Sequence, residues 1–178
     1  MKPVTLKIPF TRQTALPSMF PDICLTRRFS LNSENRSMTD HAGMIGLIDG
    51  NDIPIIGLGA FCRNEVDETR AVAERAIEAG IRHFEIAELF GNGHIIVDAI
   101  ISCKLERSEV FITLKVWPKD RGAKDLVQSC MDALTSAGLK YADLLLIHAP
   151  IDTVNDQDQW RAVEYLQTEG LCKSVGLA

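Results

Sequence analysis

Nowhere in this sequence do lysine and arginine gather into a block, and nowhere does an apolar run reach the length of a membrane span. The first absence excludes nucleic acid as a partner, because phosphate binding needs clustered cations. The longest apolar run, around Ala142–Ile147, is strand-sized and far short of the roughly 20 residues that cross a bilayer. No CxxC pair occurs. Five cysteines (Cys24, Cys62, Cys103, Cys130 and Cys172) are scattered along the chain, an odd set that argues against a disulfide framework and for a reducing compartment. No His/Cys cluster has metal-ligand spacing, so no metal site is expected. What is present, 178 residues of 46% hydrophobic content and net charge -5, is enough for one domain core with a tail to spare.

The tail is residues 1–42. Pro3, Pro9, Pro17 and Pro21 interrupt any helix, and no period of 2 or 3.6 persists. Its first thirty residues hold Lys2, Lys7, Arg12, Arg27 and Arg28 against a single acid, Asp22. An arginine-rich, hydroxyl-rich, acid-poor composition is that of an organelle transit peptide. The alternative is a disordered extension, with Met38 or Met44 as the start of translation. The two readings place the protein in a mitochondrion or plastid, or in the cytoplasm.

Residues 43–178 are regular. Asp49-Gly50-Asn51 between two short apolar runs predicts a hairpin within Gly46–Phe61. Helix-period segments then alternate with short apolar runs: helix over Glu65–Ala79, strand Ile81–Ala87, helix Gly93–Cys103, strand Glu109–Trp117, helix Lys124–Ala137, strand Ala142–Pro150, helix Gln157–Thr168 and strand Lys173–Ala178. Gly80, Gly138 and Gly170 follow three of these helices as stop signals. Strand, helix, strand with short loops implies parallel strands and an α/β class. The apolar runs are continuous rather than alternating, as expected where both strand faces are buried.

Three strands each deliver a titratable side chain near the C-terminal end: Glu85, Lys115 and His148. In parallel α/β folds those ends share one rim, and active sites are built there. Carboxylate, ammonium and imidazole form a usable acid/base set. With these residues in place, "LIDGNDIPIIGLGAF", "AIEAGIRHFEIAELFGN", "VFITLKVWP", "GLKYADLLLIHAP" and "GLCKSVGLA" resemble the aldo-keto reductase family, in order and spacing, over residues 46–178. The resemblance implies a (β/α)8 TIM-type barrel represented by its N-terminal hairpin and first five β/α strands, with residues 43–178 as a partial barrel domain. It also implies NADP(H) as cofactor and a small carbonyl substrate. In that chemistry hydride passes to the carbonyl carbon while a tyrosine protonates the oxygen. On this alignment Lys115 and His148 match the family's catalytic lysine and histidine, Trp117 a residue lining the substrate pocket, and Gly59 the approach to the nicotinamide.

Two residues depart from the family pattern. Asp-x-Ala-x-x-Tyr becomes Glu85-Ile86-Ala87-Glu88-Leu89-Phe90, so the carboxylate is one methylene longer and the proton donor's position carries Phe90, with no hydroxyl. His148, or a water held by Lys115 and His148, is then the remaining donor. Tyr141 is expected on the opposite rim. "GNGH" (Gly91–His94) is too short for a phosphate-binding loop. The family's later strands, with the basic loop for the adenosine 2′-phosphate, have no counterpart. The expectation is therefore a barrel portion with two open edges, which a protein partner would cover, and with little or no turnover of its own.

Overall fold

The computed structural model describes residues 43–59, 66–117, 123–148 and 156–178. The tail, the Phe61 end of the hairpin stretch, the helix start at Glu65, Pro150, Cys24 and Cys62 all lie outside the described residues.

The chain opens with an antiparallel hairpin, β1 (Met44–Gly46) and β2 (Asp52–Pro54). Its turn is built as the sequence predicts: Gly50 takes φ 90°, and the Asn51 amide donates to Asp49 Oδ1 at 3.1 Å. There follow β3 (Leu58–Gly59), α1 (Val66–Glu78), β4 (His83–Ala87), α2 (Gly93–Ser102), β5 (Phe111–Val116), α3 (Ala123–Ser136), β6 (Ala142–Ile147), α4 (Asp156–Thr168) and β7 (Cys172–Leu177). Two short 3-10 turns, Glu88–Phe90 and Arg107–Glu109, were not expected from the apolar pattern. The second is held by a reciprocal capping box between Glu106 and Glu109.

Strands β3 to β7 form one sheet in sequential order, every neighbouring pair parallel. These are five successive strands of a β/α barrel. Among the described residues β3 and β7 are its two edges.

The helices stop by a shared device. After α1, α3 and α4 the glycine amide bonds back three residues and the next amide bonds back five, as in Gly80 to Ile77 (3.0 Å) and Ile81 to Ala76 (2.9 Å). Gly80, Gly138 and Gly170 all have positive φ, as this closing motif requires. Helix α2 uses the same bonds, Lys104 to Ile101 and Leu105 to Ile100. There the left-handed position falls to Lys104, at φ 59°.

The core lies between the sheet and its helices. Phe84, Ile86, Ile112, Leu114, Val116, Leu145 and Ile147 are buried against Ala73, Ile96, Ala99, Leu126, Cys130, Val163 and Leu166. The opposite, concave face departs from the expectation of strands buried on both sides. Thr113 and Ser174 are buried there, but His83, Glu85, Lys115, Leu144 and Leu146 are half-exposed. The reason is geometric, since a sheet with two open edges encloses only part of its own concave side.

The hairpin lies across the N-terminal ends of the strands. Asn51 Nδ2 donates to Ser174 Oγ at 3.0 Å, and the Pro54 carbonyl lies 3.3 Å from His83 Nδ1. Gly57 permits this approach, because a Cβ there would sit 2.5 Å from His83 Nδ1. On the same side Asp143, nearly fully buried, accepts from Arg107 (2.7 Å), Lys173 (2.8 Å) and the Ile112 amide (2.9 Å). No helix among the described residues is long and apolar enough to cross a membrane.

Candidate functional site at the C-terminal rim

Register determines which side chains meet. Ala87 pairs with Lys115, and Lys115 with Leu146, so Glu85, Lys115 and Leu146 share the concave face. Lys115 lies one pleat further along its strand than Glu85, and its flexible stem turns back to place Nζ 2.7 Å from Glu85 Oε1. This is a charge-assisted contact at short range. The lysine is the more covered partner, at 19% side-chain exposure against 39% for the glutamate.

His148 follows β6 directly. Its amide donates to the Val116 carbonyl at 2.8 Å, which brings it level with Trp117 in the register. The two rings meet edge to face, centroids 5.4 Å apart at 79°. Phe90 also meets the His148 ring edge to face, at 6.4 Å and 70°. His148 therefore contacts two aromatic rings. Burial pushes its pKa below the usual histidine value, the Lys115 charge adds to the effect, and Glu85 opposes it. Nδ1 is buried with no hydrogen-bond partner among the described residues. An unpaired lone pair there costs less than an unpaired N–H, which places the proton on Nε2. The imidazole then offers one N–H donor and, uncharged at neutral pH, has no imidazolium proton to give.

Phe90 ends the 3-10 turn that follows β4, and Gly91 (φ 61°) closes that turn. The rim thus brings together Glu85, Lys115 and His148, which the strand-end pattern singles out, with Trp117 and Phe90, which the family resemblance adds. Gly59 pairs with Glu85 at the sheet edge. A Cβ at Gly59 would lie 3.8 Å from Glu85 Oε1, an ordinary contact, so its neighbours do not demand a glycine. Tyr141 is at the opposite end, its ring stacked under Arg107 at 4.1 Å and Lys173 at 4.7 Å.

One rim residue escaped the sequence reading. Glu88 Oε2 accepts from the Trp117 amide at 3.2 Å, tying the turn that carries Phe90 to the residue opposite it. Its only sequence signal was a carboxylate two positions before Phe90, in a segment read for Glu85 and Phe90 alone. Among the described residues no group of three or more His, Cys, Asp or Glu side chains is arranged to hold a metal ion.

Comparison with known proteins agrees with this geometry. A sequence profile of the aldo/keto reductase family matches residues 55–178. The chain is similar to aldo-keto reductase AKR2E4 of Bombyx mori, 35% identical over 159 residues, covering 79% of this chain and 51% of that protein. It is also similar to methylglyoxal reductase DkgA of Escherichia coli O157:H7, 33% identical over 135 residues and covering 75% and 48% of the two chains. The crystal structure of the Bombyx mori protein in complex with NADP superposes with a TM-score of 0.70 at 31% identity, covering 78% of this chain and 50% of that one. The chain thus spans about half the length of the curated relatives it matches. A profile matched over most of the chain and a parallel five-stranded barrel sheet lead to one conclusion: the chain belongs to the aldo/keto reductase family.

Proposed function

We propose that this chain is an aldo-keto-reductase-type oxidoreductase by descent whose own carbonyl reduction is slight. NADP(H), bound by the Bombyx mori relative, is the cofactor proposed, and an aldehyde or ketone the substrate. The observation that carries the reading is the phenyl ring of Phe90, 6.4 Å from the His148 ring, at a position that the family resemblance aligns with the proton donor. Reduction of a carbonyl leaves an oxyanion that must take up a proton. Lys115, paired with Glu85 at 2.7 Å, and the Nε2–H of His148 can stabilise that charge, but neither replaces a hydroxyl at the Phe90 position. Loss of a positioned general acid typically costs about 10²–10⁴ in rate.

The fit of the cofactor divides along its length. The half-exposed concave face, with Gly59 beside Glu85 at the sheet edge and the Trp117 and His148 rings in contact at the rim, is the surface proposed for the flat nicotinamide ring. The same face holds one ammonium among the described residues, Lys115, already paired at 2.7 Å, and so offers nothing for the phosphates. The described residues therefore do not fit the whole dinucleotide, and no hydride step is assigned to them. Further strands, or a protein partner, would pair with the open edges of β3 and β7.

A second reading, a silent barrel portion acting as a binding or regulatory subunit, is favoured by the same two features. The test is carbonyl-dependent oxidation of NADPH by the full chain and by Phe90→Tyr. The proposal expects no saturable turnover by the unmodified chain. A gain of roughly 100-fold or more in the variant would assign the deficit to the missing hydroxyl. An inert variant would assign it to the cofactor site, and turnover by the unmodified chain would overturn the proposal.

A further inference from the structure

We infer that Glu88 is a positioning residue, whose carboxylate sets the aromatic rings that meet His148 by acting as the last acceptor of the β4–β5 ladder. In parallel strands the amides of alternate residues point to opposite neighbours. Val116 points to β6, where its carbonyl receives the His148 amide, so Trp117 points to β4. But β4 ends at Ala87, and the chain turns into the 3-10 segment Glu88–Phe90. No β4 backbone carbonyl continues the ladder past Ala87. Glu88 Oε2 takes the Trp117 amide instead, at 3.2 Å.

The placement has a consequence for the site. Glu88 and Phe90 belong to one three-residue turn, and Trp117 stands on the other strand. The carboxylate joins the two segments whose rings both meet His148 edge to face, Trp117 at 5.4 Å and Phe90 at 6.4 Å. Glu88 does not itself contact those rings through this bond. It acts through the backbone of Trp117, and the spacing of the two rings follows from that link. This rests on the reading of the rim as the family's site and is independent of whether the chain turns over.

The experiment is NMR on the full chain with Glu88→Gln, Glu88→Asp and Glu88→Ala. The Gln variant keeps an oxygen at the same reach, the Asp variant keeps the charge but shortens the reach, and the Ala variant removes both. In Gln, the Trp117 amide should stay protected and the His148 ring-proton shifts unchanged. In Ala and Asp, amide exchange at Trp117 should quicken roughly tenfold or more, the scale of one lost hydrogen bond. The His148 ring resonances should move with the displaced aromatic rings. Should Ala fail to fold, the Asp variant decides on the same signals. A Trp117 amide as protected in Asp or Ala as in the unmodified chain overturns the inference, and so does a Gln variant that behaves like Ala. NADPH-dependent turnover by the unmodified chain would overturn the proposed function and leave this inference standing.

Discussion

At the residue scale, two polar arrangements, one buried and one half-exposed, sit at opposite ends of the strands. At the N-terminal end Asp143 gathers Arg107, Lys173 and the Ile112 amide onto one nearly inaccessible carboxylate. Three segments depend on that one group. Removing a buried partner strands the charges it balanced, so Asp143→Ala should lower unfolding free energy by about 3 kcal/mol, measured by urea denaturation. A loss under about 0.5 kcal/mol would mean that the cluster is held by other contacts. At the C-terminal end the Glu85–Lys115 pair is half-exposed on the glutamate side, and such a pair contributes little to stability. Glu85, Lys115, His148 and Phe90 were legible from strand-end position and family spacing. Glu88 was not, because its partner is a backbone amide, and no side-chain pattern announces a ladder that runs out of carbonyls.

At the scale of elements, punctuation predicted more than periodicity did. Gly80, Gly138 and Gly170 marked three helix ends correctly because the closing motif demands a left-handed residue, which glycine supplies at least cost. The end of α2 carried no such mark, since Lys104 adopts the same conformation against its steric preference. Lys104→Gly should therefore stabilise the fold by about 0.5–1 kcal/mol, the left-handed penalty less the added chain entropy of glycine. Thermal unfolding of the variant checks this, and a lowered Tm would refute it. The two 3-10 turns were missed because three residues give no measurable period. The hairpin was readable from Asp49-Gly50-Asn51. Its role across the N-terminal rim was not, since that depends on Asn51 reaching Ser174, 123 residues away.

At the scale of the whole molecule, the sheet is a barrel wall with one side packed and the other partly open. Class and strand direction followed from alternation of strand and helix, and the sequential strand order from the family resemblance. The half-exposure of the concave face did not, because burial on that side depends on what lies beyond β3 and β7. Two histidines on this face titrate in a coupled sense with stability. Burial lowers the pKa of both His83 and His148 below the unfolded value. Between the folded and unfolded values the unfolded chain binds more protons, so stability is full above about pH 6.5 and falls as pH drops below it. The Tm should accordingly decrease from pH 7.5 to pH 5.5, and replacing both histidines by glutamine should flatten that slope. An unchanged slope would assign the pH dependence to other groups.

The proposed function rests on Phe90 withholding a proton at the rim that carries Glu85, Lys115 and His148. Initial-rate measurement of NADPH oxidation by the unmodified full chain, across a series of aldehydes, tests it most directly. The expected result is a rate at or barely above the protein-free control, without saturation, at every aldehyde concentration. Saturable, aldehyde-dependent oxidation that disappears on Lys115→Ala substitution would contradict it.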